Sequence, residues 1–158
     1  MTNVKIMLVD DEERFLSTTQ KLMKKKGYDT LIASSGNAAL ELLGQKQVHV
    51  VILDVKMPEM DGIETLKEIK KQHPMVEVIM LTGHGALPSA MEALEKGAFD
   101  YLSKPCDIEL LAAKVREACH QSETVFENQE KRVHEAMVPI EAYTTLSGDQ
   151  RVQRPSPG

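Results

Sequence analysis

Short aliphatic runs that each stop at a polar residue constrain this chain more than any other feature. Ile6-Met7-Leu8-Val9 is closed by Asp10-Asp11, and Val50-Val51-Ile52-Leu53 is closed by Asp54. Val78-Ile79-Met80-Leu81 ends at Thr82, and Tyr101-Leu102-Ser103 ends at Lys104-Pro105. Apolar runs of this length, bounded by polar residues, read as strands buried on both faces of a parallel sheet. In such sheets ligands bind beyond the carboxyl ends of the strands. Three carboxylates, a hydroxyl and an ammonium are thereby sent to one edge.

Between the runs the apolar spacing changes to a helical period. Strands are predicted at Lys5–Val9, Thr30–Ala33, Val48–Leu53, Glu77–Leu81 and Asp100–Ser103. Helix one is predicted over Glu13–Lys26, with Phe15, Leu16, Thr19, Leu22 and Met23 on one face and Gly27 as its stop. Ser35 caps a second helix reaching about Gln45, with Ala38, Ala39, Leu42 and Leu43 inward. After a loop over Asp54–Met60, Asp61 caps a third, with Ile63, Leu66 and Ile69 inward. A weak fourth helix covers Leu87–Glu95 and is ended by Gly97. Asp107 caps a fifth, burying Ile108, Leu111, Val115 and Cys119. The expected fold is α/β: a (βα)₅, flavodoxin-like, doubly wound parallel sheet with strand order 2-1-3-4-5.

Length and composition allow one domain plus an extension. The chain has 158 residues, 42% hydrophobic and 27% charged, with nine Met and no Trp, so aliphatic packing must supply the core. The net charge of -5 speaks against nucleic-acid binding by this chain alone. Lys24-Lys25-Lys26 sits at a predicted helix end and there complements the dipole. Cys106 and Cys119 lack metal-ligand spacing, so reduced thiols in a cytoplasmic protein are expected. No stretch approaches the roughly 18 apolar residues of a membrane span, and the start does not read as a signal peptide. The expected division is a domain at 1–121, a helical extension or linker at 122–138 and a disordered tail at 139–158. Val115, Cys119, Ser122, Phe126, Gln129, Val133 and Ala136 step like a heptad seam, which suits a homodimer or, more plainly, a solvated helix.

Asp10, Asp11 and Asp54 crowd three anionic groups together, which repel one another without a cation. Oxygen-only ligands select a hard ion, and partly hydrated Mg²⁺ fits best. Lys104 suits a phosphoryl oxygen, and Thr82 adds a hydroxyl. A carboxylate nucleophile, a metal and a lysine are the parts needed to phosphorylate an aspartate.

Four motifs in order resemble the response-regulator receiver domain of two-component signalling, over about Val4 to Ala118. They are Ile6–Glu13, Leu53–Gly62 (LDVKMPEMDG), Leu81–Gly85 (LTGHG) and Gly97–Pro105 (GAFDYLSKP). The resemblance implies that Asp54 is the phosphoacceptor. Asp10 and Asp11, with Asp54 and the backbone carbonyl of Lys56, would hold Mg²⁺. Thr82 and Lys104 would contact the phosphoryl group, and Tyr101 would be the aromatic switch that follows Thr82. Lys104–Pro105 would be a cis peptide, while Pro58 and Gly62 would shape the loop and helix entry. Lys56 and His84, two residues after Asp54 and Thr82, fall where the family varies and tunes phosphate lifetime. The phosphoryl donor would be a histidine kinase or phosphotransfer protein, and the output a protein contact made by the fourth helix, fifth strand and fifth helix.

Two other readings compete. A Mg²⁺-dependent phosphohydrolase with an aspartyl intermediate needs an acid two residues after its nucleophile, where this chain has Lys56. A phosphorylation-independent scaffold has no need of a repulsive carboxylate cluster. The expectation is therefore a signalling switch that catalyses only its own phosphorylation and dephosphorylation. About 35 residues follow the last predicted helix of this domain, too few for a DNA-binding domain with its own core. Residues 132–150 also resemble the entry segment of a CBS domain, with a Met-x-Pro turn before a strand.

Overall fold

The computed structural model describes residues 4–57, 60–83 and 87–121. Five strands alternate with helices: β1 (Lys5–Val9), α1 (Glu13–Lys25), β2 (Asp29–Ala33), α2 (Gly36–Leu43), β3 (Val50–Leu53), α3 (Gly62–Gln72), β4 (Glu77–Thr82), α4 (Leu87–Glu95) and β5 (Asp100–Ser103). A fifth helix, α5, occupies residues 108–121. The strands are all parallel, in the order β2-β1-β3-β4-β5. This is the expected doubly wound sheet.

Side-chain alternation sorts the aliphatic runs onto the two faces. Met7, Val9, Val51, Leu53, Val78 and Met80 join Ala39, Leu43, Leu66, Ile69 and Ala93 in one cluster, which places α2, α3 and α4 on that face. Ile6, Leu8, Val50, Ile52, Ile79 and Leu81 join Leu16, Met23, Leu111, Val115 and Cys119 in the other, under α1 and α5. Central strands flanked by helices on both sides must be apolar at every position, which is why their sequence shows no alternation.

Edge strands obey a different rule. In β2, Thr30 and Ala33 are buried while Asp29 and Ile32 are exposed, and no residue of β5 is fully buried. The expectation that the Tyr101-Leu102-Ser103 run is buried on both faces is thus corrected. With a neighbour on one side only, its side chains are half covered. Leu22, expected inward, is likewise exposed, because Leu16, Thr19 and Met23 already define the buried stripe of α1. The regular pairing of β3 begins at Val50 rather than Val48. The His49 side chain takes a backbone donor there, its Nδ1 accepting the Lys5 amide at 3.0 Å.

Helix ends follow local chemistry. Ser35 Oγ accepts the Ala38 amide at 3.1 Å. Asp61 and Glu64 form a reciprocal capping box at the start of α3. Asp107 Oδ1 accepts the Glu109 amide at 3.2 Å ahead of α5. Gly27 and Gly97 follow α1 and α4 with φ of 98° and 108°, a conformation that favours glycine. Lys24 and Lys25 occupy the last turn of α1.

Across the β5–α5 junction Lys114 Nζ lies 2.7 Å from Asp100 Oδ2. Burial pushes the Asp100 carboxyl up. The Lys114 hydrogen bond, the Tyr101 amide and the Lys114 charge pull it further down, leaving it below the usual 3.8. A depressed carboxylate contributes stability above that value and loses it as the pH falls through the depressed one. Asp100→Asn should therefore be slightly less stable than wild type at pH 7. The difference between their urea midpoints should close as the pH drops below 3.8.

Val115 and Cys119, the first two positions of the heptad series, are 0% and 6% exposed and belong to the core of this domain. They are thus turned away from any second chain. The rest of the seam, the helical extension at 122–138, the tail at 139–158 and the CBS-like segment lie outside the described residues, as do Pro58 and His84. No described helix is long and apolar enough to cross a membrane.

Candidate functional site

Strand register assembles the acidic cluster. Val9 pairs with Leu53, so Asp10 and Asp54 leave adjacent strands side by side. Thr82 pairs with Ser103, which brings the end of β4 level with the residue before Lys104. Because every strand points the same way, all these ends share one edge of the sheet.

There, one ligand atom from each of Asp10, Asp11 and Asp54 lies within 4.8 Å of the others. Among the described residues this is the one cluster of three or more side chains able to hold a metal ion. Asp10 is 1% exposed, Asp54 8%, and Asp11 faces solvent. A graded set of this kind has two fixed ligands and one at the mouth. Its donors are all oxygen, which fits a hard divalent cation.

Lys104 enters from the loop after β5. Its Nζ donates to Asp10 Oδ2 at 2.6 Å and lies 3.5 Å from Glu12 Oε1 and 4.0 Å from Asp54 Oδ2. Burial pulls the ammonium pKa down. The Asp10 hydrogen bond and charge, helped by Asp54 and Glu12, outweigh it and leave Lys104 above the ordinary lysine value. The other Asp10 oxygen, Oδ1, accepts the Glu12 amide at 2.9 Å. Lys104 also stands 4.4 Å from the centre of the Phe15 ring.

Other expected site residues fall as follows. Thr82 closes β4 through its backbone, and its side chain lies outside the described set. Tyr101 is half-buried against the cluster formed with α2–α4. Lys56 is exposed, two residues beyond Asp54. The Lys104–Pro105 peptide is cis. Sequence reasoning left Glu12 and Phe15 out of the site. Phe15 lies one helical turn after Asp11, a spacing that puts it beside the site as well as on the apolar face of α1.

Gly62 packs against the backbone that carries Asp54. Its amide donates to the Val55 carbonyl at 2.7 Å. A Cβ at this position would overlap the Asp54 carbonyl oxygen and the Val55 Cα. These are backbone atoms and cannot rotate aside. Gly62→Ala should cost about 2 kcal/mol and shift the Asp54 loop, an overpacking effect. Urea denaturation and the amide chemical shifts of Asp54 and Val55 would check this. Wild-type values in both would refute it.

A shallow depression of about 390 Å³ opens beside the cluster, lined by Phe15, Gly83, Lys104, Pro105 and Cys106. Burial, with the charge of Asp107, raises the Cys106 thiol pKa, so at neutral pH the thiol is not an activated nucleophile.

Comparison with known proteins agrees with this geometry. The family profile of the response regulator receiver domain matches residues 6–116. The transcriptional regulatory protein ZraR of Escherichia coli K12 is 39% identical over 123 residues, which are 78% of this chain and 28% of that protein. A putative NtrX-like response regulator of Rickettsia bellii is 35% identical over 130 residues, 81% of this chain and 27% of its own length. The chain thus spans little more than a quarter of these curated relatives. Among solved structures, a response regulator receiver domain protein from Clostridium thermocellum superposes with a TM-score of 0.74 at 37% identity, covering 77% of this chain and 98% of that one. NtrX from Brucella abortus gives 0.78 at 28% identity, covering 92% of this chain and 32% of that one. Motif order, strand order and the match across most of its length agree: the chain belongs to the response regulator receiver family.

Proposed function

We propose that this receiver is a phosphorylation-activated switch of a two-component system, with Asp54 as phosphoacceptor. The observation that carries the reading is the acidic triad within 4.8 Å, set beside the Lys104 ammonium. Asp10, Asp11, Asp54 and the Lys56 backbone carbonyl would hold Mg²⁺. When bound, Mg²⁺ would neutralise charge building on the phosphoryl oxygens.

A carboxylate oxygen of Asp54 attacks the phosphorus of a phosphohistidine on a kinase or phosphotransfer protein. The new O–P bond forms as the P–N bond breaks, and the leaving imidazole takes a proton. Lys104, already held above its ordinary pKa, brings a fixed positive charge toward a phosphoryl oxygen. Hydrolysis runs through water attack on the same phosphorus and returns the free carboxylate. Both events happen on this chain's own side chain, so no separate substrate is turned over. Lys56 cannot act as the general acid that a phosphohydrolase would place there.

Once phosphorylated, Asp54 would draw the Thr82 hydroxyl inward and Tyr101 would follow. This would bias an existing equilibrium of the surface formed by α4, β5 and α5 toward its partner-binding form. The likeness to transcriptional regulators supports an output that acts on transcription through protein contacts, and the switch would work in the cytoplasm.

Intact mass after incubation with Mg²⁺ and a small-molecule phosphodonor tests the reading. We expect a gain of one phosphoryl group that peptide mapping places on Asp54, and no gain when the cation is chelated. A mass unchanged by donor and Mg²⁺, with Mg²⁺ binding absent as well, would favour the scaffold reading.

A further inference from the structure

We infer that Phe15 is a positioning residue for Lys104, its ring face holding the ammonium where it can move from Asp10 to a phosphoryl group on Asp54. The inference rests on the phosphoacceptor reading of Asp54 and goes beyond it in naming what steers the lysine.

Lys104 is bound unequally by its anions, at 2.6 Å from Asp10 and 4.0 Å from Asp54. A hydrogen bond that short and charge-assisted holds it at Asp10. A phosphoryl group on Asp54 would set oxygens within reach of the ammonium and compete with Asp10 for it. Lysine carries its charge on a flexible four-carbon stem, so a released ammonium is readily lost to water. Glu12, at 3.5 Å and largely exposed, would draw it outward, away from Asp54.

The Phe15 ring provides a different kind of hold. An aromatic face attracts a cation without demanding a hydrogen bond, so the attraction persists while the ammonium exchanges one anion for another. The ring is itself well placed. It packs against the core cluster under α1 and α5, and the next residue, Leu16, is 2% exposed. Phe15 and Lys104 together also line the depression that opens beside the site, so the ring and the ammonium share one wall of it.

Ring fluorination separates this role from simple packing, because it weakens the negative ring face in steps with little change of size. Phe15 would be replaced in the full chain by mono-, di- and trifluorophenylalanine, and separately by leucine. The rate of phosphoryl uptake from a small-molecule donor would be followed by intact mass. The rate should fall stepwise, by about threefold to tenfold at the trifluoro ring. Leucine should match that loss. In a Lys104→Met background the fluorine series should have no effect. Equal rates across the series with Lys104 present would overturn the inference.

A second measurement does not depend on phosphotransfer. The Lys104 Hε protons should be shifted upfield by the ring in wild type and return to the position of exposed lysines in Phe15→Leu. An unshifted signal in wild type would overturn the inference. If the wild-type chain takes up no phosphoryl group at all, the phosphoacceptor reading fails, and this shift alone decides whether Phe15 holds Lys104.

Discussion

Asp54→Ala should take up no phosphoryl group under conditions where the wild type gains one, and its fold should remain intact. The loss is complete because no neighbouring carboxylate can substitute. Asp10 is 1% exposed, with Oδ2 engaged by Lys104 and Oδ1 by the Glu12 amide. Asp11 faces solvent at the mouth of the site. Stability moves little because opposing effects meet at Asp54. Removing its carboxylate loses the attraction of Lys104 at 4.0 Å and relieves the repulsion of Asp10 and Asp11. The net change in unfolding free energy should stay below the roughly 3 kcal/mol of breaking a buried pair from one side. Intact mass and urea denaturation on the same preparation would check both halves. Residual uptake that maps to another residue would remove Asp54 from its assigned role.

Lys104→Met should show the reverse balance, with a large loss of stability and slowed uptake. The methionine keeps much of the stem's packing but leaves the buried Asp10 carboxylate without its 2.6 Å ammonium partner. Breaking a buried pair from one side costs about 3 kcal/mol, because the remaining charge stays buried. Uptake at Asp54 should slow by about a hundredfold, since a preorganised charge is missing where negative charge builds. Mg²⁺ stabilises the folded cluster of both proteins, and more so that of the variant, whose Asp10 is not already held by an ammonium, so a saturating cation should narrow the gap. The folded-state pKa of Lys104 is raised, so its contribution is fully present below 10.5 and is lost as the pH climbs through the raised value. On the alkaline side, the gap between wild type and Lys104→Met should accordingly persist until strong alkali. A variant as stable as wild type at pH 7 without added cation would show that Asp10 does not depend on Lys104.

These two variants separate the jobs of neighbouring residues. Asp54 is proposed for chemistry and matters less for stability. Lys104 serves both, because it sits between a buried structural partner and the reacting carboxylate. Sites of this kind carry conflict that the surrounding core must hold. Here the core does so through the strands themselves: Val9 and Leu53, the residues before Asp10 and Asp54, are 2% and 0% exposed.

Much of this was legible in the chain. The central strands announced themselves because burial on both faces demands unbroken aliphatic runs. The caps at Ser35, Asp61 and Asp107 and the stops at Gly27 and Gly97 were legible because each is settled within a few residues of chain. Once strands are known to be parallel, the residue after each one is known to face the same edge, so Asp10, Asp54, Thr82 and Lys104 could be grouped without coordinates.

What the sequence determined by itself was therefore whatever depends on local period and on chain direction. The tertiary structure alone decided everything that depends on a neighbour distant in the chain. It left β2 and β5 half covered at the edges and turned Leu22 to solvent. It committed Val115 and Cys119 to the core of their own domain. It paired Lys104 with Asp10 more closely than with Asp54, and set the Phe15 ring beneath the ammonium. The physical reason is the same in each case. A strand's period shows that a side chain will be covered, but packing between elements decides what covers it and which of several opposite charges lies nearest.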